Sequence, residues 1–335
     1  MPKALWLSAQ GLVAELREVT EAELAGTSDQ AGSGSDSAAQ VRIRAEYSDI
    51  NYKDALAVTG SPGVVRNYPL VPGIDVVGVV ENDQSDTFNV GDRVIGVGGG
   101  LGETMHGGFA ELAFVDAPLL TKVPERFDNL TAAAIGTAGF TAALCVNRLL
   151  VHGIEPESEV WVTGSTGGVG SVAVSLLAAL GYEPVAVTSK VVSAKDYLLG
   201  LGASRVVDAD DFKEAGRSLQ SATIGAAIDT LGSVPLANLL ARTVPGGIVA
   251  ACGLAVGGDL PTSVMPFILR SVTLAGVNSV HPLPGWREAA WDLLDTALDT
   301  DALLAATREI SLPEVADAAK TLLDGSNSGR FVVKL

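Results

Sequence analysis

At 335 residues, with 47% hydrophobic and 18% charged side chains, the chain has room for two domains and the composition of a core-rich globular protein. A formal net charge of −17 disfavours nucleic acid and anionic membrane surfaces as main partners. No apolar run reads as long and uninterrupted enough to span a bilayer, and Met1–Ser8 lacks a signal peptide's apolar segment, so a cytoplasmic protein is expected.

Residues 1–125 read as a β-rich domain. Short apolar runs fall at Lys3–Ser8, Val13–Val19, Val41–Tyr47, Asp75–Glu81, Asp92–Val97 and Ala110–Val115, separated by Gly, Pro and Asp. The Gly- and Ser-rich stretch 26–38 has too few apolar residues to join a core and reads as a surface loop. Gly98–Gly102 resembles a phosphate-binding turn, but a polar stretch follows it instead of a helix. Leu130–Leu150 is a long apolar helical region broken at Gly136-Thr137-Ala138-Gly139, and it links the two lobes.

From there the pattern alternates. Strands are expected near 159–163, 184–188, 205–208, 226–230, 247–252 and 272–277. Helices are expected near 168–181, 193–201, 211–218, 234–243 and 264–270. Six strands alternating with helices predict an α/β fold, a doubly wound parallel sheet of the Rossmann type spanning 126–300. A further helix begins at Trp286. A helix over Pro313–Leu323 and a strand over Gly329–Leu335 are expected to return to the β-rich domain, so that about 300–335 complete it.

The most informative run is Val160-Trp161-Val162-Thr163-Gly164-Ser165-Thr166-Gly167-Gly168-Val169-Gly170-Ser171. An apolar strand enters a glycine turn, and an Ala- and Leu-rich helix leaves it. Glycines let backbone N–H groups approach an anion closely, and the helix directs its positive end at that anion. Thr166, Gly167, Gly168 and Val169 are therefore the expected contacts of a dinucleotide's pyrophosphate. The next strand ends in Thr188-Ser189-Lys190 where a carboxylate would suit an unphosphorylated ribose. Two hydroxyls and an ammonium suit a 2′-phosphate, which predicts NADPH over NADH.

Only two cysteines occur, Cys145 and Cys252, both in apolar runs that read as buried free thiols; with three scattered histidines they predict no bound metal.

Taken together, Asn51-Tyr52-Lys53-Asp54-Ala55-Leu56, Pro72-Gly73-Ile74-Asp75, Ile135-Gly136-Thr137-Ala138-Gly139-Phe140, the glycine turn, Cys252-Gly253-Leu254-Ala255 and Met265–Val272 resemble one family. It is the zinc-independent quinone oxidoreductase branch of the medium-chain dehydrogenase/reductases, and the likeness is greatest to its bacterial NADPH-dependent acryloyl-CoA reductases. The resemblance implies a GroES-like β-rich domain beside the Rossmann domain, with an active site in a cleft between them. Zinc-dependent relatives carry a metal-binding Cys ahead of the Asp in the Asn51–Asp54 stretch, and Gly-His-Glu where this chain reads Gly73-Ile74-Asp75. Without a Lewis acid, alcohol oxidation loses its usual route. Reduction of an already polarised C=C needs less help.

The resemblance therefore implies hydride transfer to the β-carbon of an α,β-unsaturated thioester such as acryloyl-CoA, with a broader reductase of quinones and small enones as the alternative. It places Gly253, Leu254, Val277, Asn278 and Ser279 around the nicotinamide, with Thr137 and Arg330 within reach of the cofactor. Tyr52 is the main substrate-side candidate. Its phenol is suited to pack on the nicotinamide and to donate to the carbonyl oxygen where charge develops, with Asn51 orienting it. No dedicated proton donor is visible. The apolar strand Ser271–Val277 is expected at a sheet edge, where pairing with a second copy implies a homodimer.

Overall fold

A computed structural model describes residues 1–26 and 40–335, so the segment expected as a surface loop lies, beyond Gly26, outside the described residues. The chain divides into two compact units, Met1–Thr137 with Leu304–Leu335, and Ala138–Leu303. The division lies further along the chain than residues 125 and 300.

The first unit opens with β1 (Lys3–Trp6) and β2 (Glu15–Glu18), an antiparallel pair, followed by the short helix α1 (Glu21–Leu24). Its main sheet is built on β3 (Gln40–Asp49). In β3, Val41, Ile43 and Ala45 are buried while Arg42 and Arg44 alternate outward to Glu81, the two-residue period of a strand with one face on a core. The seven-residue helix α2 (Tyr52–Val58) follows, a feature with no expectation from the sequence. β4 (Asp75–Asp83), β5 (Arg93–Val97), β6 (Leu112–Asp116) and β7 (Leu120–Lys122) complete the antiparallel pairings β3–β4–β5–β7, with β6 also on β3. The Gly98–Gly102 run is a turn, with no helix after it.

Helix α3 (Asn129–His152) is the linking element, and it is not continuous. Gly136 has φ 45° and ψ −156°, which only glycine adopts without strain. The chain therefore divides one residue after this kink, and the first turns of α3 belong to the first unit. Contrary to the expectation from sequence, α3 is long and apolar enough to cross a membrane, at 24 residues and a mean hydropathy of 1.5 in its most apolar window. Of that window, 72% is buried within the protein, which makes α3 a core helix.

The second unit runs β8 (Glu159–Thr163), α4 (Gly168–Ala179), β9 (Glu183–Thr188), α5 (Val191–Gly200), β10 (Arg205–Asp208), β11 (Ile224–Asp229), α6 (Ser233–Arg242), β12 (Thr243–Ala251), α7 (Met265–Arg270), β13 (Thr273–Gly276), α8 (Trp286–Ala297) and α9 (Thr300–Ala305). Its six strands are all parallel, in the order β10-β9-β8-β11-β12-β13. That is the doubly wound arrangement, in which ligands bind at the carboxyl ends where the order reverses, here between β8 and β11. Strands buried on both faces need uninterrupted apolar runs, and Val160–Val162 and Val185–Val187 supply them.

The helix expected at 211–218 does not form. A single 3-10 turn, Ala209–Phe212, is followed by irregular chain. The Asn238 amide donates to the carbonyls of Phe212 and Glu214, at 2.9 Å each, and so satisfies acceptors that a helix would have used.

The tail contributes β14 (Thr307–Ser311), α10 (Val315–Leu323) and β15 (Arg330–Lys334). β15 pairs antiparallel with β3 and parallel with β14, giving the first unit's main sheet seven strands, and α10 packs on α2.

Candidate active site

In the second unit, the turn from β8 into α4 is built for close backbone approach. Gly164 has φ 61°, and the Gly167 N–H donates to the Gly164 carbonyl at 2.9 Å. A Cβ at Gly170 would lie 2.4 Å from that same carbonyl oxygen, so only glycine lets α4 start this near β8. Gly167 is the N-cap and offers no capping side chain, which leaves the first N–H groups of α4 without an intrahelical partner. Asp229 at the end of β11 braces the turn, accepting from Thr163 Oγ1 and the Gly232 N–H, both at 2.7 Å. Burial pushes its carboxyl up. Such an uncapped, glycine-lined helix start fits a dinucleotide's pyrophosphate.

Thr166, Gly167, Gly168 and Val169 form this turn. Thr188, Ser189 and Lys190 lie at the end of the adjacent strand β9, on the same edge of the sheet. Thr188 is buried, and its hydroxyl accepts from the Lys190 N–H at 3.1 Å. Partial burial pushes the Lys190 ammonium down. Gly253 and Leu254 follow β12, and Val277, Asn278 and Ser279 follow β13, again on that edge. Gly253, Leu254, Val277 and Asn278 help to line a cavity of about 600 Å³, whose other walls include Arg148, Cys252 and Trp286.

In the first unit a second constellation forms around Asn51. Its Nδ2 donates to Asp49 Oδ1 at 2.9 Å and to Asp75 Oδ2 at 2.8 Å, and its Oδ1 accepts from Arg330 Nη1 at 3.2 Å. Arg330, from β15, is 4% exposed; it donates to the Ala134 carbonyl at 3.0 Å and pairs with the fully buried Asp49. Asp75 also accepts from the Thr137 N–H at 2.7 Å and from the Thr137 hydroxyl. Asp54 accepts from the Asn51 and Ile74 N–H groups, at 2.8 Å each, which fixes the start of α2. Gly136 permits this closeness, because a Cβ there would lie 2.2 Å from Asp49 Oδ2.

Arg330 and Thr137, expected as cofactor contacts, engage buried carboxylates of their own unit. The physical reason is charge: Asp49 and Asp75 have no exposure to water and need donors. Sequence reasoning missed Asp49 altogether, and its only local signal is a carboxylate closing an otherwise alternating strand.

Burial, then the neighbouring Asp75, raise the Asp54 carboxyl to about 7 against the pull of its two N–H donors. Burial raises Asp75 to about 6, opposed by its bonds from Thr137 and Asn51. Burial pushes Arg330 down to about 10, which leaves it a cation at neutral pH. These residues do not fit a catalytic zinc. The Asn51 amide nitrogen is a donor already engaged by two carboxylates, and the buried guanidinium fills the role of positive charge. Next to this network, Tyr52 opens α2 with its side chain 44% exposed.

Residues 168–296 match the family described as zinc-binding dehydrogenase, and residues 37–125 match the alcohol dehydrogenase GroES-like domain. The chain is 46% identical over 296 residues to the probable acrylyl-CoA reductase AcuI of Escherichia coli, covering 88% of this chain and 91% of that one. It is 43% identical over 298 residues to the putative quinone oxidoreductase YhfP of Bacillus subtilis, covering 88% and 90%. The crystal structure of YhdH from Escherichia coli K-12 with bound NADPH superposes with a TM-score of 0.91 at 43% identity, over 99% of each chain.

Proposed function

The chain belongs to the medium-chain dehydrogenase/reductase family, and on that basis we propose that it is an NADPH-dependent reductase of activated C=C bonds, with an enoyl thioester such as acryloyl-CoA as substrate. The observation that carries this reading is the Asn51 network. A hydrogen-bonded amide, two buried carboxylates and an arginine stand where alcohol chemistry would need a Lewis acid. A conjugated thioester brings its own electron sink, so the protein needs only a donor for the developing oxyanion.

NADPH, when bound, supplies the hydride to the β-carbon. The N–H groups at the start of α4 hold its pyrophosphate, and Thr188, Ser189 and Lys190 hold the 2′-phosphate. Gly253, Leu254, Val277, Asn278 and Ser279 border the nicotinamide. Tyr52 donates a hydrogen bond to the substrate carbonyl oxygen, where a positioned donor contributes most to the transition state. Asn51 acts through Tyr52, because its hydrogen bonds hold the first turn of α2. The enolate left by hydride transfer is protonated at the α-carbon, and water is one source of that proton.

NADPH oxidation measured with acryloyl-CoA, crotonyl-CoA, free enones and quinones at matched concentrations tests the proposal. We expect kcat/KM for acryloyl-CoA to exceed that for quinones at least tenfold, roughly 1.4 kcal/mol of transition-state preference. Equal or higher values for quinones favour the broader quinone and enone reductase, a reading supported by the likeness to YhfP. Tight NADPH binding with no turnover of any activated alkene favours a non-catalytic binding protein.

We also propose a homodimer in the cytoplasm. β13 ends the parallel sheet with one edge unpaired among the described residues, and Val264, Ile268 and Leu269, on the stretch leading into it, are more than 60% exposed. Both cysteines are free thiols, in keeping with a reducing compartment. A monomer by light scattering at micromolar concentration overturns the dimer.

A further inference from the structure

Among the described residues, three tryptophans carry an arginine over the ring: Arg17 at 4.0 Å from the Trp6 centroid, Arg205 at 4.7 Å from Trp161 and Arg148 at 4.3 Å from Trp286. In the first two the guanidinium edge meets a carboxylate. Arg17 pairs with Glu23 at 2.6 Å, and Arg205 donates to both oxygens of Glu159, at 3.1 and 2.9 Å. Arg148, on α3, repeats the stack without the carboxylate. It is half-buried, and among the described residues it has no ion pair and no hydrogen bond. It lines the cavity of about 600 Å³, and no other charged side chain among the described residues does so. In a chain of net charge −17, a half-buried cation with no acidic partner stands out.

We propose that Arg148 is an anion subsite of this cavity, built for a carboxylate at the far end of an enoyl thioester. Monothioesters of unsaturated dicarboxylic acids are then bound better than their uncharged analogues. Stacking on Trp286 occupies the face of the guanidinium and leaves its edge, whose parallel N–H donors match the two oxygens of one carboxylate. Asn278 acts in the same sense. Its Oδ1 accepts from the N–H groups of Val280 and His281, at 3.0 and 3.2 Å, so the end of the side chain left to a ligand is a donor. A phosphate dianion calls for several donors or cations, whereas Leu144, Leu254 and Leu283 make much of the remaining wall apolar.

The chemistry of this inference rests on the reductase reading, because Gly253, Leu254, Val277 and Asn278, the proposed neighbours of the nicotinamide, line the same cavity. A hydride from NADPH adds to the β-carbon and a proton to the α-carbon. NADPH becomes NADP, the thioester becomes saturated, and the distant carboxylate keeps its charge throughout.

The test begins with binding, so that it stands apart from turnover. Glutaryl-CoA is butyryl-CoA with a carboxylate on the terminal carbon, and both are titrated by calorimetry into the full chain with and without NADP. We expect glutaryl-CoA to bind roughly tenfold or more tightly than butyryl-CoA. Arg148→Met, which keeps an apolar stem over Trp286, is expected to abolish that ratio, and Arg148→Lys to restore part of it. The same ratio is expected for the N-acetylcysteamine thioesters, which carry no phosphate. Equal affinities in the wild type, no binding of glutaryl-CoA, or a ratio that survives Arg148→Met overturns the proposal. So does an Arg148→Met effect confined to the CoA thioesters, which assigns the guanidinium to a CoA phosphate. NADPH oxidation with glutaconyl-CoA and crotonyl-CoA, the unsaturated counterparts, should show the same preference in kcat/KM. The expected binding ratio with no turnover of any thioester rejects the reductase and keeps the subsite. The wild-type comparison decides the matter even where a variant fails to fold.

Discussion

Arg330 ties together three groups of the first unit's polar centre. It neutralises Asp49, accommodates Asn51 and satisfies a carbonyl of α3. Removing one partner of a buried pair leaves a charge with no solvent and costs about 3–5 kcal/mol. Arg330→Met should therefore lower unfolding stability by about that amount in urea titration; a change within half a kcal/mol would show that Asp49 is neutral without it. Tyr52 is the opposite case, half-exposed and dispensable for folding. Tyr52→Phe should leave the melting temperature and NADPH affinity unchanged while kcat on acryloyl-CoA falls about tenfold or more, the loss of one donor to a developing oxyanion. Normal turnover removes Tyr52 from the chemistry. At Lys190 the argument concerns a single phosphate. A charge-assisted hydrogen bond contributes about 1.5–3 kcal/mol, so Lys190→Ala should weaken NADPH binding by roughly tenfold or more and leave NADH binding nearly untouched. Equal losses for the two coenzymes, measured by calorimetry, would reject the 2′-phosphate assignment.

Among elements, the β8–α4 turn was legible in sequence because every part of its signal is local. An apolar strand, glycines at fixed offsets and a small-residue helix all lie within Val160–Ala179. The parallel strands were legible for a related reason, since burial on both faces demands continuous apolar runs. Helix α2 was not, because seven residues are too few to display a helical period; its one local mark is an acceptor, Asp54, three residues after the Asn51 cap. The expected helix at 211–218 failed because Asn238, a residue of α6, takes its carbonyls, and no local pattern announces a distant competitor. The Asn51–Arg330 contact was illegible for the same cause, with 279 residues separating the partners. The turn also makes a prediction at this scale. In Gly170→Ala the new methyl meets the Gly164 carbonyl at 2.4 Å, a backbone atom with nowhere to retreat. Overpacking of this kind costs about 1–3 kcal/mol, and here it also moves the N–H groups of α4. A loss of stability together with at least tenfold weaker NADPH binding is expected; unchanged binding would mean that those N–H groups do not hold the cofactor.

The whole molecule carries −17 net charge, and its response to pH divides by where the carboxylates lie. Half-buried Asp83 and Asp92 accept backbone or lysine hydrogen bonds and are held below the usual carboxylate range. A depressed native pKa gives stability that is present above the unfolded value and lost as pH falls through the folded one, so these groups oppose acid. The buried pair acts in the other direction. Asp54, near 7, and Asp75, near 6, bind protons in the folded state at pH values where the unfolded chain has released them. Their contribution is fully present below about pH 4 and is lost as pH rises toward 7. Stability should therefore climb out of the acid range, pass a maximum near pH 4 and decline to about pH 7, where the slope ends. Self-repulsion of the net charge also weakens the protein as pH rises, but it has no reason to stop at 7. Asp54→Asn separates the two effects, because it keeps one carbonyl acceptor for the start of α2 and removes the ionisable group. The variant should be less stable than wild type at pH 5, since one of the two N–H donors then meets an amide. Between pH 5 and 7 its stability should fall less than the wild type's, by an amount on the order of 1–3 kcal/mol, since each tenfold difference in proton affinity between folded and unfolded chain is worth about 1.4 kcal/mol. Parallel stability curves from urea titrations across that window would place the Asp54 proton elsewhere.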